Sequence, residues 1–276
     1  MFGNKEKIKY IDIHAHLYFD NFDKEKEQVI ERIKKNKIGV INIATNLRNS
    51  IETIDLATQE KNFYATVGVH PTDLEEVNLE ILKSEILNLA KNPKVVSIGE
   101  CGLDYFRVEK NIKEFKEKQK KCFEIQVEAT IESDLPIMIH CRDAYEEVLK
   151  ILETYHKRTL NQNDPYYGKR LRGNFHFFAG SMNILERILK LGFHVSYTGV
   201  ITFAPQYQEL IEKTPLDRLH AETDSPFVAP VPFRGQRNEP TYVLEVIKKM
   251  SEIKGQSFNK FSKQLMKNAQ NLFGIN

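Results

Sequence analysis

The most constraining feature of the sequence is a regular alternation between short apolar runs and amphipathic stretches along its whole length. Eight of the apolar runs are rich in Val, Ile, Phe or Tyr, as is typical of β-strands that are covered on both faces. These predicted strands span residues 10–14, 38–44, 63–69, 95–100, 136–140, 173–177, 193–197 and 218–222. Strict alternation of strands with helices predicts parallel strands joined by right-handed crossovers, and eight repeats favour a closed barrel over an open sheet.

The stretches between the strands carry apolar residues at helical spacing, and one further stretch of this kind follows the eighth. Its apolar residues in phase are Phe258, Phe261, Leu265, Ala269 and Leu272. The length of 276 residues suits one barrel of this type, typically ~250 residues, and no break in composition indicates a second domain. We therefore predict an α/β fold, a TIM-type (β/α)8 barrel, as a single domain over residues 1–276 with an extra C-terminal helix.

Charge and cysteine content narrow the class of protein. The 40 Lys and Arg against 38 Asp and Glu give a net charge of +2, which excludes a protein that grips nucleic acid through overall basicity. Cys101, Cys122 and Cys141 are odd in number and far apart, as expected of free thiols in a reducing compartment. No apolar run is long enough for a membrane span, and the N-terminus lacks the pattern of a signal peptide. We expect a cytoplasmic protein without membrane contact.

Histidines and acids cluster at the C-terminal ends of the predicted strands. Those at the last strand residue or within one residue of it are His14, Glu100, His140, His176 and Glu222, and two residues beyond strands one and eight come His16 and Asp224. In a barrel these strand ends meet at the C-terminal rim, where catalytic groups lie. Each residue alone has an ordinary structural explanation, but their shared position favours one functional site.

The His14-Ala15-His16 segment is the most informative local pattern. On an extended segment, side chains two residues apart point to the same side, so both imidazoles can chelate one cation. An isolated His-x-His pair is usually no metal site. Here, however, Asp12 and His14 share one face of the strand, and a polar face inside a barrel is costly unless its groups are paired or bind metal.

Four other histidines are assigned separately. His70 ends the third strand near the expected site but has no chelating partner close in sequence, so we interpret it as a contact to substrate or to a metal ligand. His156 ends a helix, while His194 and His220 lie early in strands seven and eight, at the opposite end of the barrel, and these three are assigned structural roles.

Several motifs together resemble one known family, the TatD family of metal-dependent deoxyribonucleases. In order along the chain they are YIDIHAHL, GVHP, IGECGLDYF, IMIHCRDA, FHFFAGS, ETDSP and PVPFRGQRNEP. The resemblance runs from about Tyr10 to the C-terminus. The motifs IGECGLDYF and ETDSP with RGQRNEP are highly specific, whereas His-x-His is shared by the wider amidohydrolase-like superfamily.

The resemblance implies a TIM-type barrel with two divalent cations. It places one cation on His14, His16 and Asp224, and a second on His140 and His176, with Glu100 bridging the two. It also implies hydrolysis of DNA as a 3′-to-5′ exonuclease, or, as in some members, removal of D-amino acids from tRNA. Four imidazoles favour Zn, Mn or Co over Mg, although nucleases of this kind are commonly assayed with Mg.

Roles for the remaining groups follow from this chemistry. Asp224 is the candidate to take the proton of the attacking water. Arg142 is expected to bind a phosphate, with a salt bridge to Asp143 or Glu146 as the alternative. Glu222 is expected to orient a ligand or to act as an extra one.

The sequence departs from the family pattern at Thr72, Phe177, Ala179 and Phe233, where other side chains are common. No expected metal ligand is lost, so these changes concern the fit of the substrate. A metal-activated water attacks a carbonyl as readily as phosphorus, so an amide or ester hydrolase such as a D-aminoacyl-tRNA deacylase is the alternative activity. A non-catalytic binding barrel is disfavoured because every ligand is present.

The expected partner is DNA, entering as a single-stranded or frayed 3′ end, because no broad basic stripe for duplex binding is evident. Two stretches each carry an excess of four positive charges, 105–121 and 157–172. The first follows strand four on the active side and is the preferred contact to a nucleic-acid backbone, with a solvated helix face as the alternative. The second enters strand six from the opposite side, which favours an ordinary surface loop.

Overall fold

The computed structural model describes residues 7–106 and 112–275. Eight strands form one sheet in the order β1 to β8, and every neighbouring pair runs parallel. The strands are β1 (Tyr10–Ala15), β2 (Ile38–Asn42), β3 (Phe63–Val67), β4 (Val95–Asp104), β5 (Ile137–Arg142), β6 (Gly173–Phe175), β7 (His194–Tyr197) and β8 (Leu219–Ala221). The predicted TIM-type (β/α)8 barrel is confirmed.

Helices connect the strands and cover the sheet. They are α1 (Lys26–Lys35), α2 (Leu47–Gln59), α3 (Leu82–Leu89), α4 (Ile112–Ser133), α5 (Tyr145–Leu160), α6 (Met182–Lys190), α7 (Gln208–Lys213), α8 (Val243–Ile253) and α9 (Phe258–Phe273). The predicted extra C-terminal helix is confirmed as α9, which packs on β1 and β8. Its buried residues Ala269, Leu272 and Phe273 join Ile11 and Ile41 in one apolar cluster. The extent of the single domain over 1–276 stays a prediction.

The barrel closes between β1 and β8 beyond the last residue of β8. The Asp224 N–H donates to the His14 carbonyl at 2.9 Å, and the His16 N–H donates to the Ser225 carbonyl at 2.9 Å. Below these bonds, the buried Asp12 carboxylate accepts the N–H and the hydroxyl of Thr223 at 2.9 and 2.5 Å. The seam of the barrel therefore runs through the segment that carries His14, His16 and Asp224.

Two strand boundaries differ from the prediction in ways that matter for the site. Strand β4 continues to Asp104, not residue 100, because its ladder with β5 resumes at Cys101 and runs to the end of both strands. Gly102 permits this pairing, since a Cβ there would overlap the His140 carbonyl. Strand β6 ends at Phe175, before the predicted residue 177, because Phe177 adopts a left-handed φ of 45°.

Several described side chains of the two basic stretches make contacts within the protein. In 157–172, Arg158 pairs with Asp164 at 2.9 Å, and both Arg170 and Arg172 pair with Asp134 at 2.5 and 2.8 Å. This supports the interpretation of an ordinary surface loop. The other stretch, 105–121, lies partly outside the described residues.

Within the described part of that stretch, Lys118 donates to the Leu74 carbonyl at 2.5 Å and Lys120 pairs with Glu147 at 2.8 Å. Both contacts favour the solvated helix face over a nucleic-acid surface.

Candidate metal centre

His14 and His16 enter the site from the end of β1 and are both buried. The Nδ1 of His16 lies 2.9 Å from the Ile43 carbonyl, which can only accept a hydrogen bond, so this nitrogen carries the proton. The Nε2 of His16 is then the unprotonated nitrogen, and it lies 3.2 Å from the Nε2 of His14. The local backbone therefore turns two ligand nitrogens toward one point.

Asp224 completes a first cluster with these two histidines. It follows β8 in a left-handed conformation, with φ of 54°. Its Oδ1 lies 3.6 Å from the Nε2 of His14 and 3.5 Å from the Nε2 of His16. The seam bond between Asp224 and the His14 carbonyl holds the carboxylate in this position.

Glu100 lies between the first cluster and a second one, which is formed by His140 and His176. Its Oε2 is 3.3 Å from the Nε2 of His14, whereas its Oε1 is 2.9 Å from the Nδ1 of His140 and 2.8 Å from the Nε2 of His176. Those two nitrogens of His140 and His176 are 3.3 Å apart. One buried carboxylate thus presents one oxygen to each group of imidazoles, as a bridging ligand would.

Asp104 is a member of the site that the sequence analysis missed. Its Oδ2 lies 3.0 Å from the Nε2 of His140, so it favours a proton on that nitrogen and directs Nδ1 toward Glu100. The signal was present in the motif IGECGLDYF, four residues after Glu100. A strand that ends at residue 100, as predicted, places Asp104 in a loop and gives no reason to expect it in the site.

Glu222 lies behind His176. Its carboxylate accepts the Phe177 N–H at 2.6 Å and the Ser196 hydroxyl at 2.6 Å, and its Oε1 is 3.6 Å from the Nδ1 of His176. Both oxygens are therefore already engaged, which favours the orienting role. Glu222 also lies close enough to His14 and His176 for these three to form a set of cation ligands.

His70, predicted to contact substrate or a metal ligand, lies beside the candidate ligands Glu100 and His140. Its Nε2 is 3.7 Å from the Oε1 of Glu100, and it forms with Glu100 and His140 a set of groups that could hold a cation. Its Nδ1 contacts the hydroxyl of Thr72 at 2.7 Å. The threonine that departs from the family pattern therefore orients His70.

The pKa shifts divide the ligands into imidazoles that stay neutral, His14 and His70, and groups that are held charged, Glu100 and His176. Burial lowers the pKa of His70 to about 4, and burial together with the neighbouring His176 lowers the pKa of His14. Burial would raise the pKa of Glu100, but the surrounding imidazoles, above all His176, hold it well below its ordinary value. The pKa of His176 is raised against the effect of burial by Glu100 and Glu222. These acidic groups stabilise positive charge at the centre of the site.

The donor set fits divalent cations. Tetrahedral ligands about 2.0–2.1 Å from a cation lie roughly 3.3 Å from one another. In the first cluster, the four donor atoms of His14, His16, Asp224 and Glu100 are separated by 3.2, 3.3, 3.5, 3.6 and 3.9 Å in the measured pairs. The Nδ1 of His14 is buried without a hydrogen-bond partner among the described residues.

The clusters open into a cavity of about 720 Å³ at the rim of the barrel. Arg142 lines it and stacks its guanidinium 3.5 Å above the ring of Phe106. Among the described residues it makes no ion pair with Asp143 or Glu146, and Glu146 pairs instead with Arg187 at 2.7 Å. The alternative salt bridge is therefore wrong, and the Arg142 guanidinium is accessible from the cavity.

A parallel barrel with imidazoles and carboxylates gathered at its C-terminal rim defines the class of metal-dependent barrel hydrolases. Comparison with known families makes the assignment specific. The family model described as TatD related DNase matches residues 11–274, so the chain belongs to the TatD family, as its motifs indicated. It is a metal-dependent hydrolase of that family.

Named relatives agree with this assignment. The chain is 37% identical to an uncharacterized metal-dependent hydrolase, YabD, of Bacillus subtilis, with 96% of this chain and 99% of the relative covered. It is 32% identical to the 3′-5′ ssDNA/RNA exonuclease TatD of Erwinia amylovora, with the same coverage. Among solved structures, YJJV, a TatD homologue from Escherichia coli, superimposes with a TM-score of 0.85 at 26% identity, covering 97% of this chain and 99% of that one.

In the described ranges, no helix combines the length and the apolar character needed to cross a membrane.

Proposed function

We propose that this protein is a 3′-to-5′ exonuclease that hydrolyses the phosphodiester bonds of single-stranded DNA with two divalent cations. The observation that carries the proposal is the placement of Glu100, with one carboxylate oxygen facing each group of imidazoles. In the proposed assignment His14, His16 and Asp224 hold one cation, His140 and His176 hold the other, and Glu100 bridges them. The imidazoles favour Zn, Mn or Co over Mg.

The cations, when bound, would lower the pKa of water and stabilise the attacking and leaving oxygens of the phosphodiester. Asp224 would accept the proton of the attacking water. Burial would raise the pKa of Asp224, but His16 and His14 lower it below its ordinary value, so the carboxylate is ionised at neutral pH. It also lines the cavity and is therefore reachable by a substrate.

Two further side chains would bind and orient the phosphate. Arg142 is permanently charged, lines the cavity and is free of ion pairs with its acidic neighbours in sequence. His70 lines the same cavity, and Thr72 fixes the orientation of its ring. In this assignment His70 contacts the substrate or the nearest ligand, and Glu222 orients His176.

The test is hydrolysis of a single-stranded oligonucleotide labelled at its 3′ end. We expect release of labelled mononucleotides, complete inhibition by EDTA, and no activity in the His14→Ala, His16→Ala double variant. His156→Ala serves as the control, because His156 lies in α5 and does not line the cavity. A metal-loaded protein that leaves DNA intact with every divalent cation would refute the proposal, and cleavage of D-aminoacyl-tRNA alone would assign ester hydrolysis instead.

A further inference from the structure

Several large apolar side chains are exposed in loops at the rim of the barrel. Of the eight large apolar side chains that are strongly exposed among the described residues, four lie in loops that follow β4, β7 and β8. They are Phe106, Phe203, Phe227 and Val231. Of these four residues, Phe227 lines the cavity, where a substrate approaches.

Phe227 is distinguished from the other two phenylalanines by its position and by its uncovered ring. It lines the cavity and is 50% exposed. The guanidinium of Arg142 covers the ring of Phe106 at 3.5 Å, and that of Arg234 covers the ring of Phe203 at 3.8 Å. In the part of the chain that the structure describes, no cation covers the ring of Phe227. One aromatic face at the mouth of the cavity is thus available for a ligand.

A second ring supports Phe227 from the side of the candidate metal ligands. The ring of Phe19 meets it edge-on, with centroids 6.0 Å apart and planes at 72°. Phe19 in turn stacks on the imidazole of His16, with centroids 4.8 Å apart and planes at 9°. The aromatic wall, defined as Phe19 and Phe227, therefore extends from a candidate ligand to the open rim.

The backbone holds Phe227 at a fixed place relative to Asp224. The Phe227 N–H donates to the Asp224 carbonyl at 2.9 Å, and the Phe227 carbonyl accepts the side-chain amide of Asn238 at 2.6 Å. Asn238 is itself fully buried. The backbone that carries the ring is therefore already in place when a planar ligand stacks on it, which limits the entropy cost of binding.

We propose that Phe227, supported by Phe19, stacks the base of the nucleotide whose phosphate enters the candidate metal centre. The inference rests on the proposed nuclease function. An exposed aromatic face beside a phosphate site is the arrangement by which proteins bind unpaired nucleotides, because every base presents a π-face. Arg142 lines the same cavity and supplies the positive charge for the sugar-phosphate backbone.

Two consequences for specificity follow from stacking without hydrogen bonds to base edges. The four bases are accepted with similar affinity, since a phenyl ring reads no donor or acceptor pattern. A paired base is rejected, because it must leave the duplex before its face reaches Phe227, and unpairing costs a few kcal/mol. Phe227 therefore acts as a selector for single-stranded ends.

The test compares two substrates and four forms of the metal-loaded full-length protein. The substrates are single-stranded oligonucleotides of one sequence that end at the 3′ side either in a normal nucleotide or in a residue without a base. The proteins are the wild type, Phe227→Ala, Phe227→Tyr and Phe203→Ala. KM and kcat are measured for removal of the terminal residue, and thermal unfolding checks that each variant is folded.

In the wild type we expect the missing base to raise KM about 5- to 150-fold, the range of one base–aromatic stack. Phe227→Ala should abolish this difference, while Phe227→Tyr keeps the ring and retains it. Phe203→Ala removes a similarly exposed phenylalanine of the rim that does not line the cavity, so it should behave as wild type.

The outcomes separate the inference from the proposed function. A wild type that cleaves both substrates with one KM, or a Phe227→Ala variant that keeps the difference, overturns the stacking role and leaves the nuclease function intact. A wild type that cleaves no nucleic acid overturns both.

Discussion

Substitution of Asn238 by Ala should lower both the stability of the barrel and the affinity of its candidate metal centre. The Asn238 amide donates to the Thr223 carbonyl at 2.8 Å and to the Phe227 carbonyl at 2.6 Å, and these residues flank Asp224 on both sides. The loop that presents the Asp224 carboxylate is thus held at two points by one side chain.

The structure sets the size of the effect. The bond to Thr223 is fully buried, so its loss strands a carbonyl at a cost of about 1–3 kcal/mol. The bond to Phe227 is partly buried, so water can replace it and the cost is smaller, about 1 kcal/mol. We expect the free energy of unfolding to fall by roughly 2–4 kcal/mol. Because the variant also releases the loop of Asp224, metal affinity should fall about 10- to 100-fold, as for other residues that orient ligands.

Asn268 provides a matched control. Its buried amide donates to the Leu216 and Leu219 carbonyls at 2.7 and 2.8 Å, one bond partly and one fully buried, at the opposite end of the same strand. Asn268→Ala should therefore lose similar stability in urea unfolding but keep wild-type affinity in a competition titration with Zn or Mn against a chelating indicator. If both variants lose affinity equally, or if Asn238→Ala keeps it, the positioning role of Asn238 is refuted.

Three further predictions concern the ligands and the opposite end of the barrel. Asp104→Ala removes the acceptor that orients His140, so metal affinity or turnover should fall about 10- to 100-fold. If both values stay unchanged, Asp104 does not orient His140. Glu100→Gln should reduce bound metal, measured by elemental analysis, from the proposed two cations per chain to one or fewer. Retention of the wild-type metal content would show that Glu100 does not bridge. Burial and then Arg218 lower the pKa of His194 from 6.5 to about 4, so the unfolded chain binds the extra proton between these values and stability falls as the pH falls through that window. The loss of stability is roughly 3 kcal/mol. In urea unfolding at pH 7 and pH 4, His194→Gln should remove this part of the acid sensitivity. If the variant and the wild type are equally acid-sensitive, another group is responsible.

The sequence was sufficient to predict the barrel and most of the candidate site because both depend on strand ends. His14, Glu100 and His140 each follow a short apolar run, and parallel strands of a barrel carry their last residues to one rim. The expected proximity of these residues needs no knowledge of side-chain conformation.

The features of the site that the sequence does not predict depend on contacts with other parts of the chain. Asp104 was missed because the length of β4 is set by its pairing with β5, which a sequence window does not show. The place of His70 depends on the Thr72 hydroxyl, and the engagement of Glu222 depends on Ser196. Periodicity gives the direction of a side chain from its own strand but not the partner it meets.

The seam between β1 and β8 also fixes when the site can exist. Asp12 and Thr223, which bond across it, are 211 residues apart in the chain. At a synthesis rate of about 5–20 residues per second, roughly 10–40 s pass between the synthesis of β1 and that of Thr223. During that interval its edge is unpaired, and His14 and His16 lack the carboxylate of Asp224. The set of ligands is therefore complete only after Asp224 has emerged, and a chain released before Thr223 has an open edge and an incomplete set of ligands.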